Sequence, residues 1–328
     1  MITRQQGNGA ALEAGLPPKK KKRLPTAFKE FRKNKVLLLM LLPGVIFLLI
    51  NNYLPMFGIV IAFKNINYVD GIMGSPWVGF DNFKFLFATE DAWIITRNTV
   101  LYNFVFILLN LVIAVAVAIA LNELKNKLAA KFYQSVMFFP YFLSMVVVSY
   151  LVFAFLNVEY GFINKGVFAL FGLDEVNWYS EPKYWPFILP LINIWKGVGY
   201  GCVIYLSAII GIDSEYYEAA LIDGASKWKQ IVYITIPLIR PVIIITTILA
   251  IGGIFRSDFG LFYQTTLNSG ALYPTTLVID TYVYNALINM GNLGMSSAAG
   301  LYQAVVGFFL VLGSNWVVRK IDKDQAVF

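Results

Sequence analysis

Apolar runs long enough to cross a bilayer constrain this chain more than any other feature. Six are read: Val36 to Phe63, Trp93 to Leu121, Phe132 to Leu156, Trp185 to Ile210, Pro241 to Phe259 and Ser297 to Val318. Each exceeds the roughly 17 residues needed to span hydrocarbon. With 58% hydrophobic residues and a mean hydropathy of +0.66, the chain carries too much apolar surface for a soluble domain. The sequence therefore predicts an all-α membrane protein with six transmembrane helices. The first run is too long for a signal-peptide core and no small-residue cleavage site follows it, so it is expected to remain as an uncleaved span.

Charge sets the orientation. Nineteen of the 26 Lys and Arg lie before Val36, between Glu123 and Lys131, at Lys227, Lys229 and Arg240, or after Val318. Positive charges near span ends stay in the cytoplasm, which places both termini there. Three segments follow: a basic tail 1–35, a six-span transmembrane domain 36–318 and a tail 319–328. Thr26 to Lys35 reads as a short basic helix at the membrane surface. The run Lys19-Lys20-Lys21-Lys22-Arg23 reads as a stop-transfer flank with affinity for anionic membrane lipid. No nucleic-acid-binding fold accompanies it, so no nucleic-acid partner is expected. The chain has no His and one Cys, Cys202, inside the fourth run. Disulfide, metal and nucleophile constellations are therefore missing; no catalytic residue or metal ligand is assigned, and an enzyme is not expected.

The connection between runs four and five, residues 211–240, is the exception to this apolar pattern. Asp213 or Ser214 is placed to cap a helix through Leu221, Gly224 to end it in a left-handed turn, and Ser226 to cap a second helix through Tyr233. Pro237 and Pro241 then close the loop and restart a span. An ordinary helical hairpin has the same outline, but the spacing is more particular: Glu218-Ala219-Ala220, three residues, Gly224, nine residues, then Ile234-Thr235-Ile236-Pro237. This resembles the EAA loop of ATP-binding-cassette importer permeases, the coupling element that docks the membrane subunit onto its ATPase. The resemblance implies that Glu218, Ala219, Ala220, Asp223, Gly224 and Ala225 transmit the ATP-driven motion.

The likeness extends from about Lys35 to Lys320 and is closest to the carbohydrate-uptake, maltose-type permeases. Within that group it looks like the branch for complex oligosaccharides, including uronate-containing ones. That closer likeness is carried by Asn193-Ile194-Trp195-Lys196, Ile204-Tyr205-Leu206, Tyr216 to Ala220, and Ile279-Asp280-Thr281-Tyr282-Val283-Tyr284. It implies a prokaryotic plasma (inner) membrane protein that pairs with a second homologous permease, two copies of a cytoplasmic ATPase and an extracellular or periplasmic solute-binding protein. No Gly-x-x-x-x-Gly-Lys-Ser/Thr loop occurs, so no cofactor is expected in this chain, and ATP and Mg are assigned to the partner ATPase. Uptake of a glycerophosphodiester or polyol, and a non-transporting signalling scaffold, are the alternatives.

Ionisable and polar groups inside the runs mark candidates for the substrate path, because they are costly in lipid. Lys196 lies near the middle of the fourth run, close to mid-bilayer, on the same helix face as Asn193 and Tyr200. A place on the path and an interhelical salt bridge or carbonyl contact both stand. Gly197, Gly199 and Gly201 alongside permit a close approach. Arg256 and Asp258 are expected at the outer end of span five on different helix faces, as a gate or as interfacial groups. Ser296, Gly300, Gln303, Gly307 and Ser314 form one stripe, and Thr96, Thr99, Asn103 and Asn110 another; helix packing and path lining both fit. Trp178, Tyr179, Tyr184 and Trp185 read as an aromatic belt or a docking surface, and the polar connection 260–296 as an outer or re-entrant segment.

Overall fold

The computed structural model describes residues 34–321; most of the basic tail, including Lys19 to Arg23 and most of the expected Thr26 to Lys35 helix, lies outside that range, as do residues 322–328. Among the described residues the regular structure is helical, with one isolated bridge between Lys64 and Trp77. The chain divides after Phe57. The first unit holds α1 (Lys35–Leu48), continued by a π-helical turn Leu49–Tyr53. Its side chains are apolar on all sides and exposed throughout. Lipid is the solvent that such a surface suits.

The second unit contains α2 (Asp81–Ala88), α3 (Asp91–Asn122), α4 (Lys127–Phe138), α5 (Met145–Leu156) and α6 (Trp185–Ile210). These are followed by α7 (Ser214–Ile222), α8 (Lys227–Gln230), α9 (Ile236–Gly252), α10 (Phe259–Gln264), α11 (Ile279–Ile288) and α12 (Leu293–Ile321). Five described helices are long and apolar enough to cross a membrane: Lys35–Phe63, Asp91–Asn122, Pro182–Ile210, Lys227–Gly252 and Leu293–Trp316. A bent pair formed from α4 and α5 passes the same test as a unit.

Helices α3 and α6 form the axis of the second unit. At one end Ala114, Ala118 and Leu121 pack with Cys202, Tyr205, Leu206 and Ile209 of α6 and Ile239 of α9. At the other, Tyr102 and Phe106 meet Trp185, Leu189 and Ile192, with Leu261 and Phe262 of α10 inserted. Close backbone approach is built in where the glycines of α6 fall. A Cβ at Gly199 would sit 2.1 Å from the Met137 carbonyl oxygen of α4, and one at Gly201 3.1 Å from the Ala114 Cβ of α3.

Two expected spans differ from their sequence reading. The run Phe132 to Leu156 is not one straight helix: it bends by 99° between Phe142 and Met145. Pro140 withholds an N–H and the chain tightens into a 3₁₀ turn over Phe139–Phe142. Leu143 is extended, and the Ser144 hydroxyl then caps α5 by accepting from the Val147 N–H at 3.3 Å. The fifth span starts and ends earlier than Pro241 to Phe259. Helix α8 runs into α9 through a π-helical turn, Ile231–Thr235, and the Ile236 N–H donates to the Ile231 carbonyl. That turn accommodates Pro237, so neither proline restarts a span, and Pro241 lies inside α9. The helix ends at Gly252, and residues 253–258 are non-helical.

The connection 260–296 is folded and largely buried. The Asn98 side chain of α3 donates to the Leu277 carbonyl at 3.0 Å, the Ile279 N–H donates to the Thr99 hydroxyl at 3.1 Å, and the Thr275 hydroxyl donates to the Pro182 carbonyl at 2.9 Å. Trp185 is core rather than belt: it is fully buried, and its indole N–H donates to the Trp178 carbonyl at 2.8 Å. Burial likewise pushes the Tyr179 phenol to a pKa above its ordinary value.

Gly199→Ala should lower the unfolding midpoint of the purified chain, at a cost of about 1–3 kcal/mol from overpacking against the α4 backbone. Gly300→Ala, where no atom lies within 4 Å of the added carbon, should leave it unchanged. The buried Cys202 thiol gives the readout, through its reaction with a thiol-specific dye on heating.

Candidate coupling element and transport cavity

Asp213 caps α7 by accepting from the Glu215 N–H at 3.1 Å. The helix ends in a Schellman arrangement: the Ala225 N–H donates to the Ala220 carbonyl at 2.8 Å, and the Gly224 N–H to Leu221 at 3.1 Å. Gly224 has φ +74°, the left-handed conformation that glycine adopts without strain. Ser226 then accepts from the Lys229 N–H at 3.4 Å and starts α8. The elbow follows the sequence reading; what comes after it does not, because the second helix runs on as the membrane helix α9.

Three contacts that the sequence did not reveal fix this element. The Tyr217 and Thr235 hydroxyls are 2.9 Å apart, tying α7 to the π turn. The Gln230 amide donates to the Ala225 carbonyl at 3.3 Å, and the Lys227 ammonium lies 3.1 Å from the Glu123 carboxylate at the end of α3. Glu218, Ala219, Asp223 and Gly224 are exposed, while Ala220 and Ala225 are half-buried. Leu221, Ile222 and Trp228 are exposed beside them, Ile222 at 87%. A polar loop that presents large apolar side chains is suited to docking.

Two neighbouring cavities open among the helices. The larger, about 300 Å³, lies between α3, α6 and α9 and carries Asn103, Asn110, Asn193, Tyr205, Thr246 and Asp258 among its apolar lining. The smaller, about 170 Å³, includes Tyr141, Asn193, Lys196, Gly197 and Asp258. Asn193 and Asp258 thus face both. The Asn110 amide donates to the Asn193 side-chain oxygen at 2.7 Å, and the Tyr205 and Thr246 hydroxyls are 2.9 Å apart. Asn103 donates to the Thr99 carbonyl at 2.8 Å.

Lys196 holds the bend between α4 and α5. Its ammonium donates to the Tyr141 and Leu143 carbonyls at 3.0 and 2.8 Å and lies 5.7 Å from the Tyr141 ring centroid. The Tyr200 ring stacks on Tyr141 at 4.9 Å and 12°. Of the two readings of Lys196, the carbonyl contact is present, and the same side chain borders the smaller cavity.

Asp258 is not on a helix face: it caps α10, accepting from the Leu261 N–H at 3.0 Å. Arg256 is exposed in the non-helical segment and lines neither cavity. The Gln303 amide turns to the Phe255 carbonyl at 2.8 Å and the Asp280 carboxylate at 3.0 Å. The structure therefore brings Asn103, Asn193, Lys196 and Asp258 together, with Tyr200 beside them, and leaves Arg256 and Gln303 apart. Asn110 had been read only as part of a stripe, Tyr205 only as part of the family likeness, and Thr246 was not singled out. An asparagine within an apolar run was the available signal for the first; nothing in the spacing marked the other two. Among the described residues, no group of three or more His, Cys, Asp or Glu is placed to hold a metal.

A helical fold of membrane-spanning length with polar cavities between its helices and an exposed elbow defines a membrane permease subunit. The family model for the inner membrane component of binding-protein-dependent transport systems matches residues 110–323, and the chain belongs to that family. It is a transport subunit, not an enzyme, and works with ATPases that are separate subunits. It is 34% identical to the protein LplB of Bacillus subtilis, over 89% of this chain and 91% of that one. It is 35% identical to YteP of the same organism, a polygalacturonan/rhamnogalacturonan transport system permease, over 93% and 94%. A chain in the crystal structure of a bacterial ABC transporter involved in import of the acidic polysaccharide alginate superposes with a TM-score of 0.82 and 33% identity, over 90% of this chain and 99% of that one. A second crystal structure, of bacterial alginate ABC transporter in complex with an alginate pentasaccharide-bound periplasmic protein, gives a TM-score of 0.81 and 32% identity, over 90% and 98%.

Lys196→Met, which leaves the Tyr141 and Leu143 carbonyls without their charged donor, should destabilise the chain by about 1–3 kcal/mol. Lys196→Arg keeps donors within reach and should cost less. Thermal unfolding of the two purified variants in the same detergent compares them.

Proposed function

We propose that this chain imports oligosaccharides, acidic uronate-containing ones included, as one of two homologous permeases above two copies of an ATPase, fed by an external solute-binding protein. ATP and Mg are bound by the ATPase subunits. The membrane domain, 36–318, crosses the membrane six times, with the bent α4–α5 pair counted as one crossing. Both tails, 1–35 and 319–328, are cytoplasmic, as is the loop 211–240, in which Glu218 to Ala225 couple to the ATPase. The excess of positive charge at those segments supports this orientation.

The observation that carries the proposal is the continuity of α9. It rises from the glycine elbow through the π turn and ends beside the cavity that Asn103, Asn193 and Asp258 line. ATP-driven movement of the elbow is thereby delivered to the wall of a polar space inside an apolar bundle. Asparagine, tyrosine and threonine side chains supply the hydrogen bonds that a sugar needs. Lys196 supplies a positive charge for a carboxylate, and the relatives whose names include polygalacturonan and alginate support an acidic substrate.

The test is ATPase activity of the assembled transporter in lipid nanodiscs with its binding protein, across uronate oligosaccharides, neutral oligosaccharides and glycerophosphodiesters. Stimulation by uronate oligosaccharides is expected. Stimulation by neutral sugars alone overturns the acidic assignment, and stimulation only by glycerophosphodiesters overturns the sugar. Gly224→Pro, which forces φ to about −65° where the elbow needs the opposite sign, should abolish substrate-stimulated hydrolysis. Unaltered coupling in that variant would refute the elbow's role.

A further inference from the structure

Two hydrogen bonds from elements far away in sequence reach the six residues between α9 and α10, and a third joins the two side chains that make them. The Ser257 N–H donates to Asp280 Oδ2 at 2.7 Å, Gln303 Nε2 donates to the same oxygen at 3.0 Å, and Gln303 Nε2 also donates to the Phe255 carbonyl at 2.8 Å. Phe255 itself is buried, and its ring packs edge-on against Tyr302 at 5.7 Å. Asp280, on α11, has no ion-pair partner among the described residues; its charge is met by these N–H donors. Hydrogen bonds to a carboxylate are roughly twice as strong as neutral ones. One oxygen of Asp280 and one amide of Gln303 therefore hold both a carbonyl and an N–H of a segment whose own bonds, from the Gly253, Ile254 and Arg256 N–H groups, are all short-range turns.

The segment occupies a critical place. It starts at the pair Gly252 and Gly253, where α9 ends, and stops at Asp258, which faces both cavities. Seventeen residues of α9, about 25 Å of rod, join it to the elbow. Two adjacent glycines at the end of a rod are compliant, and without an external tether the motion of α9 would be lost in them.

We propose that Asp280 and Gln303 are positioning residues: together they clamp residues 255–257 to α11 and α12, so that displacement of α9 is passed on to Asp258. This reassigns Gln303 from the lining of the substrate path to the support behind it. The transport half of the proposal rests on the coupled-import reading; the clamp itself does not.

The experiment pairs hydrogen exchange, read by mass spectrometry on the peptide over 253–258, with coupled uptake, both on the complete transporter in lipid. In Asp280→Ala and in Gln303→Ala, exchange of that peptide should accelerate by about tenfold or more, the loss expected when a hydrogen bond to a charged group is removed. The double variant should fall well short of the product of the single effects, since both residues serve one oxygen. ATP consumed per molecule imported should rise several-fold while the complex still assembles. Asp280→Asn keeps a neutral acceptor and should lie between parent and alanine variant in both readouts, which a general loss of folding would not produce. Unchanged exchange over 253–258 in Asp280→Ala and Asp280→Asn overturns the clamp. Faster exchange with the parent's coupling ratio overturns the positioning role. If the parent itself shows no substrate-stimulated hydrolysis, the coupled-import reading falls, and exchange alone still judges the clamp.

Discussion

A backbone inside hydrocarbon has no water to turn to, and the rest of this structure is organised by that restriction. Unbroken helices meet it internally. At two breaks a distant side chain takes exposed backbone groups: Lys196 serves the two carbonyls at the bend between α4 and α5, and Asp280 with Gln303 serves an N–H and a carbonyl of the segment after α9. At the exposed elbow local geometry suffices, because Gly224 lets α7 close on its own carbonyls.

This division explains how much the sequence disclosed. Caps and turns are local events, so Asp213, Gly224 and Ser226 were legible from residue type and spacing alone. The bend was not, because Pro140 needs Lys196, more than 50 residues away, to make the corner tolerable. The bounds of the fifth span were misplaced for a related reason: Pro237 usually interrupts a helix, but a π turn of five residues absorbs it. Lys196, Asn193 and Asp258 could be picked out because polar groups are rare in apolar runs. Arg256 and Asp258 were assigned to helix faces because helix geometry was carried past Gly252, where there is no helix.

The two halves of the site differ in kind. The elbow is exposed and tied by Tyr217 to the π turn and by Lys227 to the end of α3. The cavities are mixed, with a few amide and hydroxyl groups spread over three helices. Under the proposed function, such a wall would meet the many hydroxyls of a sugar through several modest contacts.

The contact at Gly199 has a kinematic consequence. With a glycine of α6 pressed against the Met137 carbonyl and Lys196 of the same helix gripping Tyr141 and Leu143, α4, the corner after it and α6 lose the freedom to slide past one another. They make up a single strut with a fixed angle. Any shape change in this subunit is thereby left to helices outside that strut.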